Sequence, residues 1–247
     1  MRWFFVLAVL ITFARVGFAQ GGPPLITDDP GTPGNGRWES NLAIVFEHRP
    51  NEWALDMPEI DLNYGWGNHI QLTLQTSAAW LKRSGHGAIA GLGGVEAAVK
   101  WRFLDEESSG LDMSMFPRIL FNVTHSSVRR GLAEPGTRFQ IPFQAAKTFG
   151  PVVVDVEFGP LINSTDRAEF LSGLVVARDL SKTTTVMAEV HTTSRMNFSR
   201  DVVTLNFGWH HTLNEHAIWI ASVGHEVHSD TDEPLALIGY CGVQFVY

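Results

Sequence analysis

The side chains best able to act on a solute in this chain stand an even number of residues apart within each apolar-polar alternation. Glu59 and Asp61, Gln71 and Gln75, Glu96, Lys100 and Arg102, Arg118, Asp155 and Glu157, and Glu189 each alternate with apolar neighbours. In an extended chain, residues two apart point to the same side. These groups are therefore expected to share one polar face, with a basic patch at Lys100, Arg102 and Arg118 set against a mostly acidic remainder. Across a water-filled lumen such separation sets up a transverse field that selects solutes. The same charges could instead pair across neighbouring strands and fill a narrow interior.

Three further groupings invite a chemical reading. His125-Ser126-Ser127 places a His two residues before a Ser, the spacing a barrel lipase would need to activate a nucleophile on one strand face. The tripeptide falls in an expected loop beside Arg129-Arg130, and no acid or amide is placed to orient the His. His210, His211, His216, His225 and His228 gather in the last third near Glu226, but His210 and His211 point to opposite faces, so a metal site is not expected. Asp28-Asp29 falls short of a calcium loop and reads as part of a turn. No catalytic residue, metal ligand or cofactor is expected.

The elements that must position these groups are strands. Leu42, Ile44 and Phe46 alternate with Asn41, Ala43, Val45 and Glu47; Ile60, Leu62, Tyr64 and Trp66 alternate with Glu59, Asp61 and Asn63. Further strands fit near 70–75, 95–103, 112–122, 137–148, 151–162, 167–179, 183–193, 201–212, 216–226 and 235–247, giving about twelve and no convincing helix. Connections alternate in length, with Asp105–Gly110 slightly longer than the other tight links and Asn163–Asp166 the one exception. Tight ones are expected near Gly65–Asn68, Phe149–Pro151, Leu180–Lys182 and Leu213–Glu215; broader ones near Arg49–Leu55, Leu81–Gly91, Val123–Thr137, Thr193–Arg200 and Val227–Pro234. Short turns at one end and long loops at the other describe an all-β, antiparallel up-and-down transmembrane β-barrel of about twelve strands. Trp66, Trp80, Trp101, Trp209 and Tyr247 lie near strand ends on the apolar face, where interfacial aromatics belong. A secreted soluble sandwich is the competing architecture.

The ends of the chain fit export. Arg2, an apolar run from Trp3 to Phe13 and small residues at Gly17 and Ala19 make a signal peptide over 1–19, too short to span a bilayer as a helix. A Pro/Gly-rich lead-in over 20–36 follows, then a barrel domain over 37–247. The formal charge is −8, and cleavage would remove two arginines and no acid, so nucleic acid is not an expected partner. Cys241 is the one cysteine, which excludes an internal disulfide. The terminal strand, with Gly242, Phe245 and Tyr247, resembles the signal that the barrel-assembly machinery reads.

Pro24-Leu25-Ile26-Thr27-Asp28-Asp29-Pro30-Gly31-Thr32-Pro33-Gly34, followed by Trp38-Glu39, resembles the N-terminal signature of the outer-membrane barrel family named after the meta-pathway of phenol degradation. Asp61–Gly65, Val99–Phe103 and Ser127–Gly131 extend the likeness over most of the chain. The resemblance implies a transporter or channel for small hydrophobic or aromatic solutes; the barrel reading adds a monomer in a Gram-negative outer membrane, with lipid and the assembly machinery as partners. A structural or plugged barrel without transport and a barrel lipase are the alternatives.

Overall fold

The computed structural model describes residues 22–231 and 233–247; the expected signal peptide lies outside them. Fourteen strands form one antiparallel sheet: β1 (Trp38–Arg49), β2 (Glu52–Trp66), β3 (Ile70–Arg83), β4 (Ile89–Leu104), β5 (Asp112–Met115), β6 (Arg118–Phe121), β7 (Arg138–Gln140), β8 (Phe143–Phe149), β9 (Val152–Asn163), β10 (Glu169–Asp179), β11 (Thr184–Arg195), β12 (Val202–Asn214), β13 (Ala217–Ser229) and β14 (Leu237–Val246). β5 and β6 are halves of one crossing, as are β7 and β8, so the closed barrel has twelve crossings. The two breaks fall at Phe116-Pro117 and Ile141-Pro142, where proline has no N–H to give the ladder. The sheet closes through β1 against β14, with Glu39 opposite Val246 and His48 opposite Leu237. β9 against β10 joins the interrupted side.

Faces follow the period-two pattern. Leu42, Leu72, Leu74, Phe158, Phe207 and Val223 are exposed on the outside, whereas Asn41, Asp61, Gln144, Glu157 and Asn206 are buried within. Aromatic rings mark the outer rim near the chain ends: Trp38 lies 4.9 Å from Tyr64 and Trp209 lies 5.1 Å from Trp219, centroid to centroid.

Three local expectations need correction. The broad loop expected over Arg49–Leu55 is a tight turn at Pro50-Asn51, because Trp53 and Leu55 continue the strand alternation. Two short helices form where none was expected, α1 (Glu106–Ser109) and α2 (His125–Arg130), each ended by a left-handed glycine, Gly110 at φ 77° and Gly131 at φ 76°. The single strands expected at 112–122 and 137–148 are each broken by the prolines above. α2 and the loop after it fold over the barrel end opposite the chain ends, where Leu132 packs on Ala79 and Leu81.

Candidate functional site

The interior is crossed by the lead-in. Residues 22–36 enter from the end that holds the turns of β2–β3 and β12–β13, and several of their backbone groups are bonded to the wall. The Glu189 carboxylate accepts the Ile26 and Thr27 N–H groups at 3.2 and 2.5 Å, and Asn206 Nδ2 donates to it at 3.1 Å. Glu157 accepts the Asp28 N–H at 3.0 Å. Ser222 donates to the Pro24 carbonyl at 2.6 Å. Leu25 packs against Val175, Ala177 and Met187, burial that contributes about 1.5–3 kcal/mol.

Asp28 is the ionic centre of this contact. Lys100 Nζ donates to Asp28 Oδ1 at 2.9 Å and to the Asp29 carbonyl at 2.6 Å, and Arg118 Nη2 bridges Asp28 Oδ2 at 3.1 Å and Glu157 Oε1 at 3.0 Å. The Phe116 ring, inward in step with Ser114 and Arg118, faces both cations, 4.6 Å from Lys100 Nζ and 4.2 Å from the Arg118 guanidinium carbon. Burial alone would raise the Asp28 carboxyl, but Lys100 and Arg118 outweigh it and hold it below its ordinary value. Burial wins at Asp29, whose carboxyl is pushed up to about 7, with Lys100 opposing the rise and Asp28 adding to it.

A cavity of about 670 Å³ remains beside the lead-in. Glu59, Asp61, Gln71, Gln75, Glu96, Lys100, Arg102 and Arg118 all line it. Asp155, Glu157 and Glu189 do not; they are buried, the last two against the lead-in. Neither Asp155 carboxylate oxygen has a hydrogen-bond partner among the described residues. A smaller cavity of about 180 Å³ lies toward the loop end and shares Glu59, Gln75 and Glu96 with the larger one. At the chain ends, Gly242 faces inward against Ala43, while Phe245 and Tyr247 are exposed outside.

The sequence reading missed Asp28 as an ion-pair centre, along with the inward roles of Asn41, Asn63 and Tyr240. Its signal was present: two inward cations, Lys100 and Arg118, needed a counter-charge, and the one acidic pair in the lead-in supplied it. In place of the cross-strand neutralisation weighed above, the basic patch is drawn largely to a segment outside the sheet. α2 also separates the hydrolase pair, because two residues on a helix differ by about 200°. Ser127 is buried and its hydroxyl accepts from Thr124 Oγ1 at 2.7 Å.

No protein-family model matches the chain, and a search of curated proteins finds no match. Solved structures do. An outer membrane channel from Pseudomonas putida F1 superposes with a TM-score of 0.69 at 10% identity, covering 90% of this chain and 100% of that one. The NanC porin matches with 0.62 at 9% identity over 84% and 99%, and the KdgM porin with 0.58 at 10% over 83% and 98%. This chain has the fold of outer-membrane β-barrels. The specific meta-pathway resemblance is not confirmed by these likenesses.

Proposed function

We propose that the protein is a monomeric outer-membrane channel for small solutes, held closed in the described state by its own lead-in. The single observation that carries this reading is the pairing of Asp28 with Lys100 and Arg118 inside a closed barrel. Apolar packing alone would anchor the segment without the desolvation cost of burying Asp28, Lys100 and Arg118. The two cavities share Glu59, Gln75 and Glu96 in their walls, which supports a route along β2, β3, β4 and β6. Apolar Val45, Ile218 and Ile238 border the larger cavity, which suits solutes with an apolar or aromatic body, the class implied by the family resemblance. The outer aromatics and the Gly242, Phe245 and Tyr247 pattern support placement in the outer membrane by the barrel-assembly machinery, after cleavage of residues 1–19.

Single-channel conductance in planar bilayers tests this. Lys100 is 2% exposed, and replacing it with Met leaves Asp28 with half its compensation, a loss of about 3–5 kcal/mol for a broken buried pair. Wild type should be mostly silent with rare openings, and Lys100→Met should open at least ten-fold more often. Silence of both, in protein shown to be inserted, would sink the channel reading and favour a plugged structural barrel.

A further inference from the structure

We propose that the larger cavity binds an organic cation, a protonated or quaternary amine with a small apolar body, between the Glu59 and Asp61 carboxylates and the wall made by Ile218, Ile238 and Tyr240. This deepens the channel reading and rests on it for the claim that the cavity lies on a solute's route.

The charge balance of the wall asks for a cation. Asp61 is 5% exposed; its Oδ2 accepts from Asn41 at 2.9 Å and from Asn63 at 3.0 Å, yet its Oδ1 has no hydrogen-bond partner among the described residues. Strand register sets Asp61 opposite Gln75, and Gln75 opposite Glu96, so the acids run along one inward row. Gln75 Nε2 donates to Glu59 at 2.9 Å, a neutral partner that leaves the carboxylate's charge uncompensated. Among the described residues no Lys or Arg forms an ion pair with Glu39, Glu59, Asp61 or Glu96; Lys100 and Arg118 are taken by Asp28 and Glu157. Carboxylates withdrawn from water without a counter-charge are costly, and a ligand that brings the charge recovers that cost.

The remaining wall selects which cation. Tyr240 is 8% exposed with its hydroxyl unpartnered, and it packs with Ala43, Ile218 and Ile220. An aromatic face beside carboxylates is the environment an ammonium group prefers, and the adjoining aliphatic side chains suit a hydrocarbon body. A bare metal ion is a poorer fit, since no three His, Cys, Asp or Glu side chains among the described residues converge as ligands. An anion would meet the acid row directly.

The test is calorimetric titration of the purified protein in detergent with benzyltrimethylammonium and, separately, with benzoate. The cation should bind at least ten-fold more tightly than benzoate. Asp61→Asn and Glu59→Gln should each weaken it ten-fold or more, and Tyr240→Phe, which removes only a hydroxyl, should leave it within about three-fold. Heat-dependent gel mobility establishes that each variant is a folded barrel. Equal binding of the two probes, or unchanged cation binding in both acid variants, overturns the proposal. Uptake of the same cation into proteoliposomes carrying Lys100→Met, the variant expected to open, is scored independently. Binding without uptake keeps this site and overturns the channel reading; uptake of benzoate without preferential cation binding does the reverse.

Discussion

Asp28 and Asp29 are neighbours in sequence with opposite acid–base behaviour, and that difference makes seating of the lead-in depend on pH. In a released lead-in both would titrate near 3.8. Asp28 has a lowered value when seated, so its contribution is present above about pH 4 and is lost as pH falls through that lowered value. Asp29 has a raised value, so the seated state favours its protonated form; its penalty is absent below 3.8 and complete above about 7. Closure should therefore be strongest near pH 4, weaken as pH rises toward about 7 and stay level above that. The largest charges acting on Asp29 are Lys100, Asp28 and Asp112, Glu39 and Asp155 also interact with it, and Asp29→Asn removes its titration while leaving them all in place. Closed-state lifetimes in bilayers should shorten at least ten-fold from pH 5.5 to pH 8.5 in wild type and change little in Asp29→Asn. A shift that persists undiminished in the variant would assign the pH dependence to another group.

The strands make room for the lead-in at two glycines. A Cβ on Gly65 would stand 1.9 Å from the Gly34 carbonyl oxygen, and one on Gly173 would stand 1.9 Å from Thr27 Oγ1. Glycine inside a strand costs packing and entropy, and close approach of a second chain segment is one reason to carry it. Gly173→Val should favour the strand intrinsically yet expel Thr27. Thermolysin, which cuts before Leu and Ile, should then remove the segment around Leu25 and Ile26 at least ten-fold faster while the barrel keeps its heat-dependent gel mobility; equal rates would show that the niche is dispensable. This is also where legibility from sequence ends. Alternation around Leu42, Asp61 and Val99 reveals strands and faces because it is local. The Thr27–Glu189 contact, 162 residues apart, has no local signature. The Pro50-Asn51 turn was readable, but the run Arg49–Glu52, with no apolar side chain except proline, disguised it.

At the scale of the whole molecule, solvent preference is inverted. Leu42 is 49% exposed, Leu74 51% and Phe207 62% on the outer face, while Gln144 and Asp155 are fully buried inside. A water-soluble barrel would expose the second set and bury the first, and a continuous outer band of this kind is stable only against lipid. The register makes the claim testable at adjacent positions, because neighbours on one strand face opposite media. Leu74→Arg puts a charge in the hydrocarbon and should lower folding stability by about 2–4 kcal/mol, measured by urea titration in lipid vesicles. Gln75→Arg, one residue on and beside Glu59 and Glu96, should cost under about 1 kcal/mol, because the charge meets carboxylates and water. Equal costs would mean that the outer face does not lie in lipid, and the soluble sandwich would return as the better architecture. A penalty confined to Leu74 would place the membrane on that face and the solute path on the other.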